Sequence, residues 1–324
     1  MPLLLTREDV QKVLNMKDCI EVVENAFAEL SNGTAILPLR NNIVSPDGLS
    51  LYMPAYLKEM KALACKVVTV YKNNPAKHNM PTTIGKVLLQ NPETGDVICI
   101  MDGGYLTAVR TGAASGVATK YLARKDKDQV IGIYGTGGQA KMQLLAMKET
   151  VSISKVLVYD LNEEATDAFV KANADLGFDI FKAKNSDDLL AADIICTATS
   201  SPTPLFDGKK LKPGTHINNI GSHTPNAREL DTATVQRSKF VGDSKEACFK
   251  EAGDIMIPLK EGSVTEDHFY AELGDLVTGK KPGRTNAEEI TVFKSNGLAI
   301  QDAATAKLIY DKAIAAGIGI SVDI

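Results

Sequence analysis

Gly135, Gly137 and Ala140 stand in the spacing G-x-G-x-x-A within the turn Gly135-Thr136-Gly137-Gly138-Gln139-Ala140. The chemistry of that spacing is the seating of a pyrophosphate. The first glycine permits a tight turn, the second keeps side-chain atoms away from the phosphates, and the small third residue lets helix and strand pack closely. An apolar run through Val130, Ile131, Ile133 and Tyr134 precedes the turn, and a helix-forming segment, Ala140 to Ala146, follows it. Free N–H groups at the start of that helix would face the phosphates. A second apolar run, 155–159, ends in Asp160, near the ~20-residue offset of an acid that binds ribose hydroxyls. Asp160 would repel a 2′-phosphate, and Leu161 and Asn162 bring no arginine to attract one. NAD(H) is therefore favoured, with NADP(H) the alternative. The plainer reading is a glycine turn in an ordinary βα unit with Asp160 as a helix cap.

Three cations form a second set. Arg40, Lys66 and Arg110 lie on otherwise apolar strands or on a small-residue helix. Lys66 interrupts Leu63-Ala64-Cys65 and Val67-Val68, and a charge in a buried run is costly unless it is paired. Converging on one pocket, the three would suit a substrate carboxylate, which arginine binds bidentately. Taken singly, each reads first as a strand-edge charge or a salt-bridge partner. A third set follows from topology, because ligands of open parallel sheets lie beyond the carboxyl ends of the strands. That rule selects Thr197-Ala198-Thr199-Ser200, Gly221-Ser222-His223-Thr224 and Ser295-Asn296-Gly297. The first of these would border the nicotinamide half of the cofactor, or is an ordinary Thr/Ser loop.

The elements that must carry these residues are readable from period and punctuation. Residues 1–32 look helical, with Thr6 and Asp9 as a capping box and Ile20, Val23, Phe27 and Leu30 on one face. Gly33 is the expected stop. Strands are expected at 36–40, 51–53, 62–71, 83–90 and 97–101, the last two joined as a hairpin by Asn91-Pro92-Glu93-Thr94-Gly95. Tyr105 to Ala123 reads as a helix whose small residues suit close packing. From 130 onward, strands at 130–134, 155–159, 192–197, 214–220, 240–241 and 289–293 alternate with helical stretches, and 297–316 is helical. The expected fold is α/β: a doubly wound parallel-sheet (Rossmann) domain beside an α+β domain.

With 324 residues the chain has room for two full cores. A net charge of −4 and a pI near 5.7 argue against a nucleic-acid or anionic-membrane partner. There is no secretory n-region, and no run approaches ~18 apolar residues, so no membrane span is expected. Five scattered cysteines without C-x-x-C spacing read as reduced thiols of a cytoplasmic protein. Four histidines in no ligand pattern point to no metal.

Several motifs together resemble the ornithine cyclodeaminase/mu-crystallin family, which also includes archaeal alanine dehydrogenase and ketimine reductases. They are Met53-Pro54-Ala55-Tyr56, Lys66 to Tyr71, Met101-Asp102-Gly103 through Ala114, and the glycine turn with Gln139-Ala140. His216-Ile217-Asn218, Arg228-Glu229-Leu230-Asp231 and Gly297 to Asp302 continue the match in register over nearly the whole chain. The resemblance implies a homodimer whose substrate groups and interface come from 1–112 plus 304–324, with 113–303 binding the dinucleotide. It puts Arg40, Lys66 and Arg110 at the family's basic substrate positions and Thr83 beside them. Cyclodeaminases carry an Asp where this chain has His223 and a Glu where it has Tyr52, so the second amino group of ornithine loses both partners. The details look closer to mu-crystallin-type reductases. The resulting expectation is an NAD(P)H-dependent oxidoreductase acting at the C–N bond of a small α-imino or α-amino acid. Lys66 is first candidate for proton exchange and His223 second. Gly135, Thr136, Gly137, Gly138, Gln139, Ala140, Asp160, Thr197, Ala198, Thr199, Gly221 and Ser222 would hold the cofactor. The alternatives are an ornithine cyclodeaminase that recycles its NAD, and a binding protein without turnover.

Overall fold

Thr6 opens the first helix as expected: its hydroxyl accepts the Asp9 N–H, and the Asp9 carboxylate accepts the Thr6 N–H. The computed structural model describes residues 1–323. In chain order the first elements are β1 (Leu3–Leu5), α1 (Arg7–Val13), α2 (Met16–Asn32), β2 (Ala35–Ile36), β3 (Asn41–Ser45), β4 (Gly48–Leu57) and β5 (Ala62–Val70). Next come α3 (Asn74–His78), β6 (Thr83–Gln90), β7 (Val97–Asp102) and α4 (Gly103–Leu122). Residues 1–32 are thus a strand and two helices rather than one helix. Leu3–Leu5 pairs with Cys99–Met101, and Asn15 caps a second helix start by accepting the Asp18 N–H. Gly33, at φ 75°, ends α2 as a left-handed cap. The strand expected at 36–40 stops at Ile36, two residues before Pro38, which has no N–H to give a ladder.

The chain continues with β8 (Gln129–Tyr134), α5 (Ala140–Thr150), β9 (Ile153–Tyr159), α6 (Glu163–Ala172), β10 (Asp179–Lys182), β11 (Ile194–Thr197) and β12 (His216–Asn219). After these stand α7 (Thr232–Arg237), β13 (Ser238–Gly242), α8 (Lys245–Glu251), α9 (Gly253–Lys260), β14 (Phe269–Glu272) and α10 (Leu273–Val277). The last elements are β15 (Ile290–Lys294), α11 (Ala299–Ala316) and β16 (Ile320–Ser321). Two compact units result: Met1–Thr111 with the segment from Leu298 onward, and Gly112–Gly297. The return to the first unit falls at Leu298 and not at 304. The physical reason is that α11 is one hydrogen-bonded helix packed on α2, β4 and β5, and the break sits at Gly297, φ 81°.

The first unit holds a sheet in the order β16-β1-β7-β6-β5-β4-β2, with β3 on β4. Beta5 alternates, placing Ala62, Ala64 and Lys66 on the buried side. Val23, Phe27, Leu57, Val87, Leu89 and Ile309 are fully buried in this unit. The second unit is a wholly parallel sheet, β10-β9-β8-β11-β12-β15-β13-β14. Its strands, Ile194–Thr197 and Ile290–Lys294 among them, are buried on both faces, as helices on either side of a parallel sheet require. The strand order reverses between β8 and β11, the switch point at which such sheets bind ligands. All five cysteines are free thiols, and only Cys65 is more than slightly exposed. Among the described residues, no helix is long and apolar enough to cross a membrane.

Candidate functional site

Lys66 reaches the buried side of β5 because its neighbours alternate, and there it is 2 % exposed. Its Nζ lies 2.7 Å from Oδ2 of Asp302. Arg110, on α4, donates Nε to Oδ1 of the same carboxylate at 2.9 Å and Nη1 to Gln301 Oε1 at 2.6 Å. These two bonds fix the guanidinium plane. Asp302 sits in the first turn of α11, where the helix dipole favours a carboxylate. Arg40 precedes β3, whose Asn41 pairs with Tyr52, and the next residue, Met53, pairs with Lys66. Its charge is felt at Lys66.

One acid therefore serves more than one cation, and the surplus is positive, the electrostatics of an anion site. Burial pushes the Lys66 ammonium down to about 8, with Asp302 pulling it up and Arg110 and Arg40 pressing it lower. An amine titrating there exchanges protons near neutrality. The sequence names no counter-charge for these cations, and Asp302 supplies it. The signal was present: β5, β6 and α4 contain no acid, and buried cations require one.

In the second unit the β8–α5 turn is shaped by Gly135 at φ 90°, where an added Cβ would lie 2.7 Å from the carbonyl oxygen of Ala198. Gly137 and Gly138 are different. No heavy atom lies within 4 Å of a Cβ added at either, so the space over the start of α5 is open, while Ala140 beneath is fully buried. At the end of β9, Asp160 Oδ2 accepts the Thr136 N–H at 2.8 Å and the Thr136 hydroxyl at 3.0 Å, and Oδ1 accepts the Asn162 N–H at 2.9 Å. Burial raises this carboxyl, but the hydrogen bonds from Asn162 and Thr136 outweigh it and hold it below the ordinary value. An uncontested cradle at a helix start beside an ionised acid fits a dinucleotide.

A pair of substitutions separates the two kinds of glycine. Gly135→Ala is expected to lower stability by about 1–3 kcal/mol through left-handed strain. Gly137→Val should leave the melting temperature unchanged, yet weaken NADH about tenfold or more in a fluorescence titration. Unaltered NADH affinity in Gly137→Val would mean the open space is not the phosphates'.

Across the switch point, the loops after β11 and β12 meet on Glu229, a fully buried acid. It gathers Thr197, Thr199, Asn219 and Gly221. Lys294, also fully buried, donates to Ser222 O at 2.6 Å and lies 3.1 Å from Asp254. Asp254 Oδ1 in turn accepts the N–H groups of Glu229 and Leu230. Of the expected cofactor residues, Thr197, Thr199, Gly221 and Ser222 are thus held by acids and a lysine, while Ala198 donates its N–H to the Tyr134 carbonyl.

Two expected residues stand apart from these clusters. Thr83 pairs with Val70 and so shares the sheet face of Lys66, but at its exposed end. His223 is exposed in the loop after β12. Tyr52 pairs with Val67, which puts it on the face opposite Lys66. The missing acid there does not alter the surroundings of the lysine.

Known proteins match this architecture. The sequence model of the ornithine cyclodeaminase/mu-crystallin family matches residues 1–317. The chain is 39% identical to a Δ1-pyrroline-2-carboxylate reductase of Bacillus cereus, over 98% of each chain. The solved Δ1-pyrroline-2-carboxylate reductase of Thermococcus litoralis, in complex with NADH and L-proline, superposes with a TM-score of 0.94 at 48% identity, covering 99% of this chain and 100% of that one. An archaeal alanine dehydrogenase dimer with bound NAD gives a TM-score of 0.94 at 35% identity, covering 100% and 99%.

Proposed function

Because this chain belongs to the ornithine cyclodeaminase/mu-crystallin family, we propose that it is an NADH-dependent reductase of small α-imino acids, with Δ1-pyrroline-2-carboxylate as the leading substrate. The observation that carries this reading is the buried cluster in which one carboxylate, Asp302, is shared by Lys66 and Arg110, with Arg40 nearby. Its positive surplus suits the carboxylate common to such substrates. The glycine turn and Asp160 supply the dinucleotide side, and Asp160 selects NADH over NADPH by repelling a 2′-phosphate.

NADH, when bound, supplies the hydride that reduces the C=N carbon. Everything else falls to the protein. Arg110, its plane fixed by Asp302 and Gln301, and Arg40 hold the carboxylate and so orient the imine. Lys66 Nζ, protonated below about 8, gives the proton that the imine nitrogen takes as the C=N bond becomes C–N. Burial keeps water from competing for that proton. His223, exposed on its loop, is the weaker candidate for this transfer, and Thr83 is an outer contact of the carboxylate end.

The same unit exposes Ile36, Leu39, Ile43, Val44 and Tyr52 on or beside β2, β3 and β4. Such a concentration of apolar side chains calls for cover, and we assign it to a second copy of this chain. The archaeal relative solved as a dimer supports this. Sedimentation should give a dimer at micromolar concentration, and a monomer would contradict the assignment. The free thiols suit the reducing cytoplasm, and fractionation into an oxidising compartment would contradict that placement.

The activity is tested by following NADH absorbance with the purified chain over a panel of cyclic and acyclic imines, with pyruvate plus ammonia included. The expected result is turnover of Δ1-pyrroline-2-carboxylate with NADH preferred to NADPH. No turnover of any imine would leave a binding protein.

A further inference from the structure

We propose that Glu229 is a positioning residue that sets the nicotinamide side of the cofactor site by locking the loops after β11 and β12 together. The proposal rests on the dinucleotide reading above and goes beyond it, because Glu229 lies behind the rim and touches no solvent.

The observation is the density of donors on one carboxylate. Oε1 accepts the N–H and the hydroxyl of Thr199, each at 2.7 Å. Oε2 accepts the Thr197 hydroxyl at 2.7 Å, Asn219 Nδ2 at 3.0 Å and the Gly221 N–H at 2.8 Å. Each oxygen is thus assigned: Oε1 to the loop after β11, Oε2 to the ends of both strands. Asn219 Nδ2 also reaches Thr197 Oγ1 at 2.9 Å, closing the lattice. There is no room for slack. A Cβ added at Gly221 would collide with Thr199 O and with the Glu229 carboxylate itself.

The acid is held in turn. Its own N–H is bonded to Asp254, which lies against Lys294, and Lys294 donates to the carbonyl of Ser222. One buried network therefore grips the rim at Thr197, Thr199, Gly221 and Ser222.

A buried carboxylate is an expensive way to join two strand ends that apolar packing would join as well. What it adds is direction, since each hydrogen bond fixes an orientation. The two sides of the switch point differ. The acid on the β9 side, Asp160, is part-buried and takes donors from Thr136 and Asn162, whereas Glu229 is fully buried and takes donors from both strand ends and both loops. In a sheet of this order the adenosine half lies toward β9 and the other half toward β11 and β12. The Glu229 lattice therefore acts on the ring that must be presented in one orientation for hydride transfer, and not on the adenosine end.

That asymmetry makes the test specific. Glu229→Gln keeps the shape but turns one acceptor into a donor that faces donors. In the full chain, the Kd for NADH should rise about tenfold, with loss of the fluorescence gain of the bound ring, while the Kd for ADP-ribose stays within about twofold. Phe240→Leu, a core change in β13 of the same unit, serves as control. It should lower the melting temperature without separating the two ligands. Should Glu229→Gln fail to fold, Glu229→Asp retains the charge, cannot span both loops, and should give the same split. Equal weakening of NADH and ADP-ribose, or no weakening of either, overturns the proposal. A wild-type chain that binds neither ligand instead overturns the dinucleotide reading, and this inference with it.

Discussion

Lys66→Met is expected to lower kcat/KM for reduction of Δ1-pyrroline-2-carboxylate by about a thousandfold or more, with NADH affinity changed less than about twofold. The substitution removes the proton donor and one positive charge from the carboxylate site together. It should not unfold the chain. Methionine follows the path of the lysine methylenes, and Asp302 keeps Arg110 as partner, so no buried charge is left uncompensated. The pH profile carries the same claim. Reduction needs the protonated ammonium, so wild-type kcat/KM should fall as pH rises through about 8, and the reverse oxidation should rise over that range. Lys66→Met should lose this limb. A variant that keeps both its rate and its limb would remove Lys66 from the chemistry.

Asp302→Asn is expected to show its largest effect on stability. Lys66 and Arg110 are 2 % and 5 % exposed and would lose their shared counter-charge, which typically costs about 3–5 kcal/mol. A fall in melting temperature of roughly 10 °C should follow near pH 7. The direction with pH is fixed by linkage. The folded Lys66 titrates at about 8, below its ordinary 10.5, so above that point the unfolded chain binds more protons and stability rises with pH. Removing Asp302, which raises this value, moves the window lower. The gap between variant and wild type should therefore narrow from pH 6 to pH 9 in thermal melts. A gap that widens over that range would show that Asp302 does not neutralise Lys66.

The contrast between what was readable and what was not follows the range of the interactions. The glycine turn, Asp160 at its strand end, the hairpin at 91–95 and the Gly33 stop are local patterns, and each appears where period and turn chemistry put it. The parallel sheet follows from strands alternating with helices. The cations were visible because a charge in an apolar run is conspicuous, whereas Asp302 looks ordinary at a helix start. It meets Arg110 across 192 residues of chain, a separation that no local window spans. Glu229 stood within a motif of the resemblance, but its role was not readable, since its partners lie on two strand ends that only the folded sheet brings together. Leu3–Leu5 reads as helical until it pairs with Cys99–Met101.

The most direct measurement uses NADH carrying two deuterium atoms at nicotinamide C4, with Δ1-pyrroline-2-carboxylate and the purified chain, and reads the product by mass spectrometry. The expected product is proline bearing one deuterium at Cα, formed mole for mole with NADH oxidised. Proline and ammonia released from ornithine with only catalytic NAD⁺, and no deuterium transferred to the imine, would contradict it.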